Sequence, residues 1–158
     1  MEELLELKAQ IVKGDLAAAL TIVDELETMS RQDKINTLES FLVILLIHLI
    51  KIQVEKKVTR SWRNSIINSL TQIQTRNKLG KKSKYIYEWD EHYQNKLFTA
   101  IRKAAEEVFD GIEIEELESQ INESRLQKDA NKLLSMTYSM TEREIVNSIR
   151  DNYPISNF

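Results

Sequence analysis

The sequence contains no cysteine, and this absence excludes several kinds of site. Without a thiol among its 158 residues, the chain cannot form a disulfide, a thiolate metal centre or a cysteine nucleophile. A chain without disulfides suits a reducing compartment, so we expect a cytoplasmic protein. The acidic start Met1-Glu-Glu-Leu-Leu5 agrees with this expectation, because a secretory signal begins with basic residues.

Glycine and proline are scarce, with three and one residues respectively. Sandwiches and barrels need many such residues at their turns, so an all-β fold is excluded. The length suits one domain. We therefore expect an all-α fold, a single compact bundle of about five main helices. Within it we predict a helical core over residues 1–111 and a short helical C-terminal extension over residues 112–158.

Motifs for metals and cofactors are missing as well. The glycines at positions 14, 80 and 111 are scattered, so no glycine-rich loop is available to hold a nucleotide. The two histidines, His48 and His92, do not have the spacing of zinc ligands. We expect no metal and no cofactor.

One apolar run stands out. Residues 41–50 read FLVILLIHLI, with nine apolar residues out of ten. A helix needs about 20 apolar residues to span a bilayer, and Glu39 and Lys51 border this run. The pattern favours a core helix that is buried on most sides, with no membrane contact.

Apolar spacing and capping residues divide the first half of the chain. We predict a helix over Glu2–Lys13, followed by Gly14 at a positive φ and by Asp15 as the cap of a helix over Leu16–Thr28. Ser30 and Asp33 resemble a capping box, which predicts a separate helix over Arg31–Lys56. The side chains expected to face inward in the first two helices are Leu4, Leu5, Ile11, Val12, Leu16, Ala19, Leu20, Val23 and Leu26.

The second half is divided in the same way. Thr59 or Ser61 is expected to cap a helix that ends near Leu79-Gly80, and Thr141 with Glu144 forms a capping box for the last helix. The helices predicted between them run from about Glu88 to Asp110-Gly111, from Ile114 to Ile121 and from Glu123 to Met136.

Charge is sorted along the chain, although the net charge is only −3. Residues 1–55 carry −5 and residues 85–158 carry −7, whereas residues 56–84 carry nine basic and no acidic side chains. An acid-free segment of this kind is a candidate surface for nucleic acid or another polyanion.

The segment Thr59–Ile66, TRSWRNSI, resembles the signature of a bacterial family known as domain of unknown function twenty-nine. The similarity includes His48-Leu-Ile-Lys51, and it extends over about residues 1–110 through ELETM at 25–29, DKIN at 33–36 and IQTRNK at 73–78. Membership implies an all-helical fold and carries no established activity.

The strongest site candidates lie where the basic segment meets the start of a helix. Free N–H groups at a helix N-terminus attract anions, and arginine binds phosphate oxygens in a bidentate manner. We expect Arg60, Ser61 and Arg63 to bind an anion or a nucleic acid, together with Arg76, Lys78, Lys81 and Lys82 further along. The alternative is that these cations only balance acidic neighbours.

His48 and Lys51 are the candidates for acid–base chemistry. They are one turn apart on a helix that is otherwise apolar. Either they line a pocket with Arg60, in which His48 moves a proton near neutral pH, or Lys51 reaches solvent and His48 donates to a backbone carbonyl.

Three functions therefore stay open at this point. The first is a binding module with a basic surface for nucleic acid or another polyanion. The second is a protein-interaction or structural subunit that forms a homo-oligomer. The third is a metal-independent, nuclease-like enzyme that uses His48.

Overall fold

The computed structural model describes residues 2–77 and 89–156, with the backbone alone at residues 89–92. This part of the chain forms seven α-helices and contains no strand, so the all-α prediction is confirmed. The helices are α1 Glu2–Lys13, α2 Leu16–Glu55, α3 Arg60–Arg76, α4 Trp89–Glu107, α5 Ile114–Gln120, α6 Glu123–Ser139 and α7 Glu142–Asn152. The chain divides into two compact units, Met1–Thr37 and Leu38–Phe158. The predicted boundary after residue 111 stays a prediction.

The N-terminal unit contains α1 and the first part of α2. Gly14 has φ +78° between them, and the Asp15 carboxylate accepts a hydrogen bond from the Ala18 N–H at 3.1 Å. Both features were predicted from the capping residues. The inward-facing side chains were predicted less well. Ala19 is buried and Val23 and Leu26 are half-buried, whereas Leu4, Leu5, Ile11, Val12, Leu16 and Leu20 are exposed. The buried apolar side chains of this unit are Ala19 and Ile22 of α2, and α1 buries none.

The predicted break between two helices near Ser30 is wrong, because α2 is one helix of 40 residues. The segment contains no glycine or proline, so nothing interrupts its backbone hydrogen bonds. The hydroxyls of Thr28 and Thr37 also bond within the helix. They donate to the carbonyls of Asp24 and Asp33, four residues earlier, at 3.0 Å. Ser30 and Asp33 have the spacing of a capping box, but they lie inside α2. This spacing alone therefore does not start a new helix.

The C-terminal unit is built around the second part of α2. Leu38, Leu42, Leu45, Leu46 and Ile50 are completely buried, at the spacing of one helix face. By length and mean hydropathy (1.8), α2 meets the criteria for a membrane-spanning helix, and it is the one described helix that does. A core helix meets them equally, and the side chains that α2 buries here agree with the core helix predicted from the sequence.

In the C-terminal unit, each helix from α3 to α7 buries apolar side chains. α3 packs against α6 and α7, and α4 packs against α5. The stripe of α3 was predicted, with Ile66, Leu70 and Ile73 fully buried. α3 ends at Arg76 with Asn77 as its C-cap, so the predicted end near Leu79-Gly80 falls partly outside the described residues.

Hydrogen bonds join the C-terminal segment to the loop before α3. The Ser156 N–H donates to the Val58 carbonyl at 3.0 Å, and the Val58 N–H donates to the Ser156 hydroxyl at 3.4 Å. On the side of α2, the Gln53 amide donates to the Asn122 carbonyl at 3.2 Å and accepts from the Asn122 N–H at 2.7 Å. These bonds fix the loop from which α3 begins.

The capping box of α7 gives a direct stability prediction. The Thr141 hydroxyl accepts from the Glu144 N–H at 3.2 Å, and the Glu144 carboxylate accepts from the Thr141 N–H at 3.1 Å. We expect Thr141→Ala to lower the free energy of unfolding by about 1 kcal/mol, measured by urea denaturation. The matched control is Thr28→Ala inside α2, where alanine is the better helix former. Equal losses in the two variants would contradict the role of the cap.

Candidate anion-binding site

The start of α3 borders an open depression of about 750 Å³. Arg60 is its single charged residue among those described. The described residues that line it are Ile44, Arg60, Ser61, Asn64, Ser65 and Asn68. Five of them follow the i, i+1, i+4, i+5, i+8 spacing of one helix face. The result is a stripe of hydroxyl and amide groups, next to one arginine and free of carboxylates.

The N-terminus of α3 adds backbone donors to this stripe. Thr59 is the N-cap, and its hydroxyl accepts from the Trp62 N–H at 3.1 Å, while the Arg63 N–H donates to the Thr59 carbonyl at 3.0 Å. The N–H groups of Arg60 and Ser61 precede these bonds and have no acceptor within the helix. They therefore add to the positive end of the helix beside the depression.

The described cations between Lys51 and Arg76 have no carboxylate partner in the described part of the chain. Among the described residues, no carboxylate oxygen lies within 4.0 Å of a charged nitrogen of Lys51, Lys56, Lys57, Arg60, Arg63 or Arg76. Lys96 behaves differently, because its Nζ lies 2.6 Å from a carboxylate oxygen of Glu39. The alternative in which these cations balance acidic neighbours therefore finds no ion pair here. We call Arg60, Ser61, Arg63, Asn64 and Asn68 the α3 site.

Arg63 belongs to the α3 site but is not among the described residues that line the depression. It is half-buried, and its Nε is buried with no hydrogen-bond partner in the described part of the protein. A buried guanidinium N–H without a partner costs free energy, so an anion that reached it would recover a hydrogen bond. Among the described cations of the basic segment, Arg63 is the one with a buried donor that lacks a partner.

Two lysines flank Trp62. The Nζ atoms of Lys51 and Lys57 lie 5.8 and 5.7 Å from the centre of the Trp62 ring, within the range of cation–π attraction. Lys51 thus contacts Trp62, and neither Lys51 nor His48 is among the described residues that line the depression. Lys57 was not singled out from the sequence.

His48 bonds to its own helix. Its Nδ1 lies 2.8 Å from the Ile44 carbonyl oxygen, and since that oxygen accepts, Nδ1 carries the hydrogen. Burial lowers the pKa of His48, the bond to Ile44 opposes this shift, and the charge of Lys51 lowers the pKa further. Burial therefore favours the neutral ring, in which Nδ1 keeps its hydrogen and donates it to Ile44. The catalytic role of His48 and Lys51 stays a prediction.

This lowered pKa predicts a dependence of stability on pH. A histidine whose pKa lies lower in the folded protein than the ordinary value of 6.5 binds its proton more readily when unfolded. Stability is then complete above that value and falls as the pH falls through it. We expect wild type to lose more stability than His48→Gln between pH 7.5 and pH 5.5, measured by urea denaturation. If the free energy of unfolding changes with pH equally in the two proteins, the lowered pKa of His48 would be contradicted.

The remaining predicted residues lie apart from the α3 site. Arg76, at the other end of α3, donates from Nε to the Gln72 side chain at 3.1 Å and has its guanidinium carbon 6.0 Å from the centre of the Phe41 ring. Lys78, Lys81 and Lys82 lie outside the described residues. The described residues contain no group of three histidine, aspartate or glutamate side chains that could hold a metal ion.

Sequence reasoning missed Asn64, Ser65 and Asn68. Their signal was present, because polar residues recur every four positions from Arg60 and Ser61 onward on a helix whose opposite face is apolar. Charge drew the prediction toward the lysines and arginines, whereas neutral donors make up most of the depression.

Residues 9–116 match the family model described as "Domain of unknown function DUF29". The chain belongs to this family. Membership of this family, predicted from the sequence, is thereby confirmed, and the match includes all of α3 together with the six residues that line the depression. No curated protein and no solved structure matches the chain significantly. DUF29 membership supports the helical architecture and assigns no activity, so function has to be argued from the α3 site.

Proposed function

We propose that this DUF29 protein is a binding module whose α3 site engages a nucleic acid. The observation that supports the proposal is the pair of arginines in the α3 site, Arg60 and Arg63, neither of which has a carboxylate partner in the described part of the chain. Unpaired cations next to neutral donors are the groups that contact phosphate oxygens and sugars.

The length of the donor stripe on α3 favours an extended polyanion over a single phosphate. Arg60 and Asn68 both line the depression, and they are about 12 Å apart by helical rise. That distance corresponds to about three or four phosphates of one strand. Between them lie Asn64 and Ser65, and no acidic residue interrupts the helix.

A titration of labelled oligonucleotides tests this proposal. Fluorescence anisotropy is measured with a 20-nucleotide single strand of RNA, one of DNA and a DNA duplex, at 50 and 200 mM salt. We expect binding to at least one of them that weakens about tenfold or more at the higher salt, because phosphate contacts release counterions. No binding at 50 mM salt, or binding that salt does not change, would contradict the proposal.

A second candidate function is self-association through the N-terminal unit. α1 has no buried residue, and Leu5, Val12, Leu16 and Leu20 are each more than 60% exposed. A unit of 37 residues is below the size at which a chain normally buries a sufficient core by itself, and oligomerisation is a common remedy. We propose a second copy of the same helical hairpin as the occupant of this apolar face.

Light scattering coupled to size-exclusion chromatography tests self-association. We expect a dimer for wild type and a monomer for Leu5→Glu/Val12→Glu, with unchanged helix content by circular dichroism. A wild-type monomer at about 100 μM would rule out this second function, and it would leave the nucleic-acid proposal untouched.

A further inference from the structure

A second cleft lies on another part of the C-terminal unit, between the end of α2 and the start of α6. Its volume is about 460 Å³, within the range of sites for small molecules. Lys56, Arg125, Asp129 and Tyr153 line it together with the apolar side chains of Leu49 and Ile52. The cleft thus combines two cations, one carboxylate and a phenol with an apolar wall.

The backbone around this cleft is held in place before any ligand binds. The paired hydrogen bonds between Gln53 and Asn122 join α2 to the start of α6. Asn122 also caps α6, because its side chain accepts from the Arg125 N–H at 3.1 Å. A preformed wall of this kind lowers the entropic cost of binding.

Lys56 provides an independent indication of function. It follows α2 with φ +55°, in the left-handed region where glycine or asparagine is favoured. A lysine there carries backbone strain, and strain of this kind collects at functional positions. Lys56 also lines the cleft, so the strained residue is part of its wall.

The polar groups of the cleft are available to a ligand. Arg125 and Asp129 approach each other only to 3.9 Å, so their pairing is loose. Burial, and next the Asp129 carboxylate, raise the pKa of Tyr153 to about 12, against the opposing effect of Arg125. The phenol therefore keeps its proton at neutral pH and can donate it in a hydrogen bond.

From these groups we infer that the cleft binds a small zwitterion with an apolar body, namely an α-amino acid with an aliphatic side chain. Lys56 and Arg125 receive its carboxylate, Asp129 receives its ammonium group, and Leu49 and Ile52 contact its side chain. The Tyr153 hydroxyl donates to the carboxylate. This ligand matches both signs of charge in the cleft, and the inference does not depend on the nucleic-acid proposal.

Nuclear magnetic resonance with three related probes tests the inference. The probes are leucine, 4-methylpentanoate, which lacks the ammonium group, and 3-methylbutylamine, which lacks the carboxylate. We expect saturable shifts of the backbone amides of Gln53, Asn122 and Tyr153 with leucine, and binding about tenfold weaker or more for each truncated probe. No saturable shift with leucine up to about 10 mM would overturn the inference.

Variants of Lys56 distinguish a role of this residue in ligand binding from a role at the end of α2. We expect Lys56→Gln to weaken leucine binding about tenfold or more, and the matched control Lys128→Gln, on the exposed side of α6, to leave it unchanged. Lys56→Gly is expected to weaken binding while raising the melting temperature by about 3 °C, because it relieves the backbone strain. A higher melting temperature with unchanged leucine affinity would show that Lys56 serves only the helix end, and would overturn the inference.

Discussion

Replacing Leu46 with alanine is expected to lower the free energy of unfolding by about 3 kcal/mol. Leu46 is completely buried in the second part of α2, with Leu42, Leu45 and Ile50, also completely buried, on the same helix. Removing its branched end loses the transfer free energy of the buried groups and leaves a cavity that tight packing does not close. Urea denaturation followed by circular dichroism measures the change.

Ile44 provides the matched control two residues away. It belongs to the same apolar run but is 38% exposed, so Ile44→Ala is expected to cost about 1 kcal/mol or less. A large difference between the two variants is the signature of a helix buried on one side within a folded unit. If both variants change the free energy of unfolding by the same small amount, α2 is not packed as described. Such a result would favour a membrane-spanning helix.

Removing the two arginines of the α3 site is expected to have the largest effect on binding. We expect Arg60→Gln/Arg63→Gln to weaken nucleic-acid binding at least tenfold at 50 mM salt and to reduce the slope of log affinity against log salt by about 2. Glutamine is shorter than arginine but stays polar, and it removes the charge. Anisotropy titrations across a series of salt concentrations provide both quantities.

Arg143 and Arg150 of α7 are the charge-matched control for this double variant. Both are exposed, and they border a different depression. Arg143→Gln/Arg150→Gln changes the net charge by the same amount, so we expect the slope to stay close to that of wild type. If the two double variants weaken binding equally, the affinity comes from total charge and not from the α3 site.

Local signals in the sequence predicted most of the fold. Gly14, Asp15, Thr59 and Thr141 mark helix ends in the sequence and mark them in the structure. These positions could be predicted because the capping chemistry lies within three or four residues of the helix end. The prediction of a helix break at Ser30 was wrong because it also rested on local spacing. Such spacing does not reveal whether the backbone on both sides is helical.

The burial of side chains in the N-terminal unit could not be predicted from local signals. Leu5 and Val12 have the periodicity of a buried face, and the structure leaves them exposed. Periodicity identifies the apolar face of a helix but not whether another element covers it. Which elements cover which faces is decided by contacts between distant parts of the chain.

The candidate site was only partly predictable for a similar reason. Arg60, Ser61 and Arg63 were identified from charge and from their place at a helix start. The contacts of Lys51 and Lys57 with Trp62 depend on how α2 and α3 meet, and so does the presence of Ile44 in the depression. The cytoplasmic location, the nucleic-acid partner and the catalytic role of His48 stay predictions.

Mapping a bound oligonucleotide onto the chain tests the central claim most directly. In a nuclear magnetic resonance titration with the oligonucleotide that binds best, we expect the largest shifts at the backbone amides of Arg60 and Ser61 and at the side-chain amides of Asn64 and Asn68. Amides of α7 such as Asn147 should stay close to their free positions. Shifts that are largest on α7, or spread evenly over the chain, would contradict the assignment of the α3 site as the nucleic-acid-binding surface.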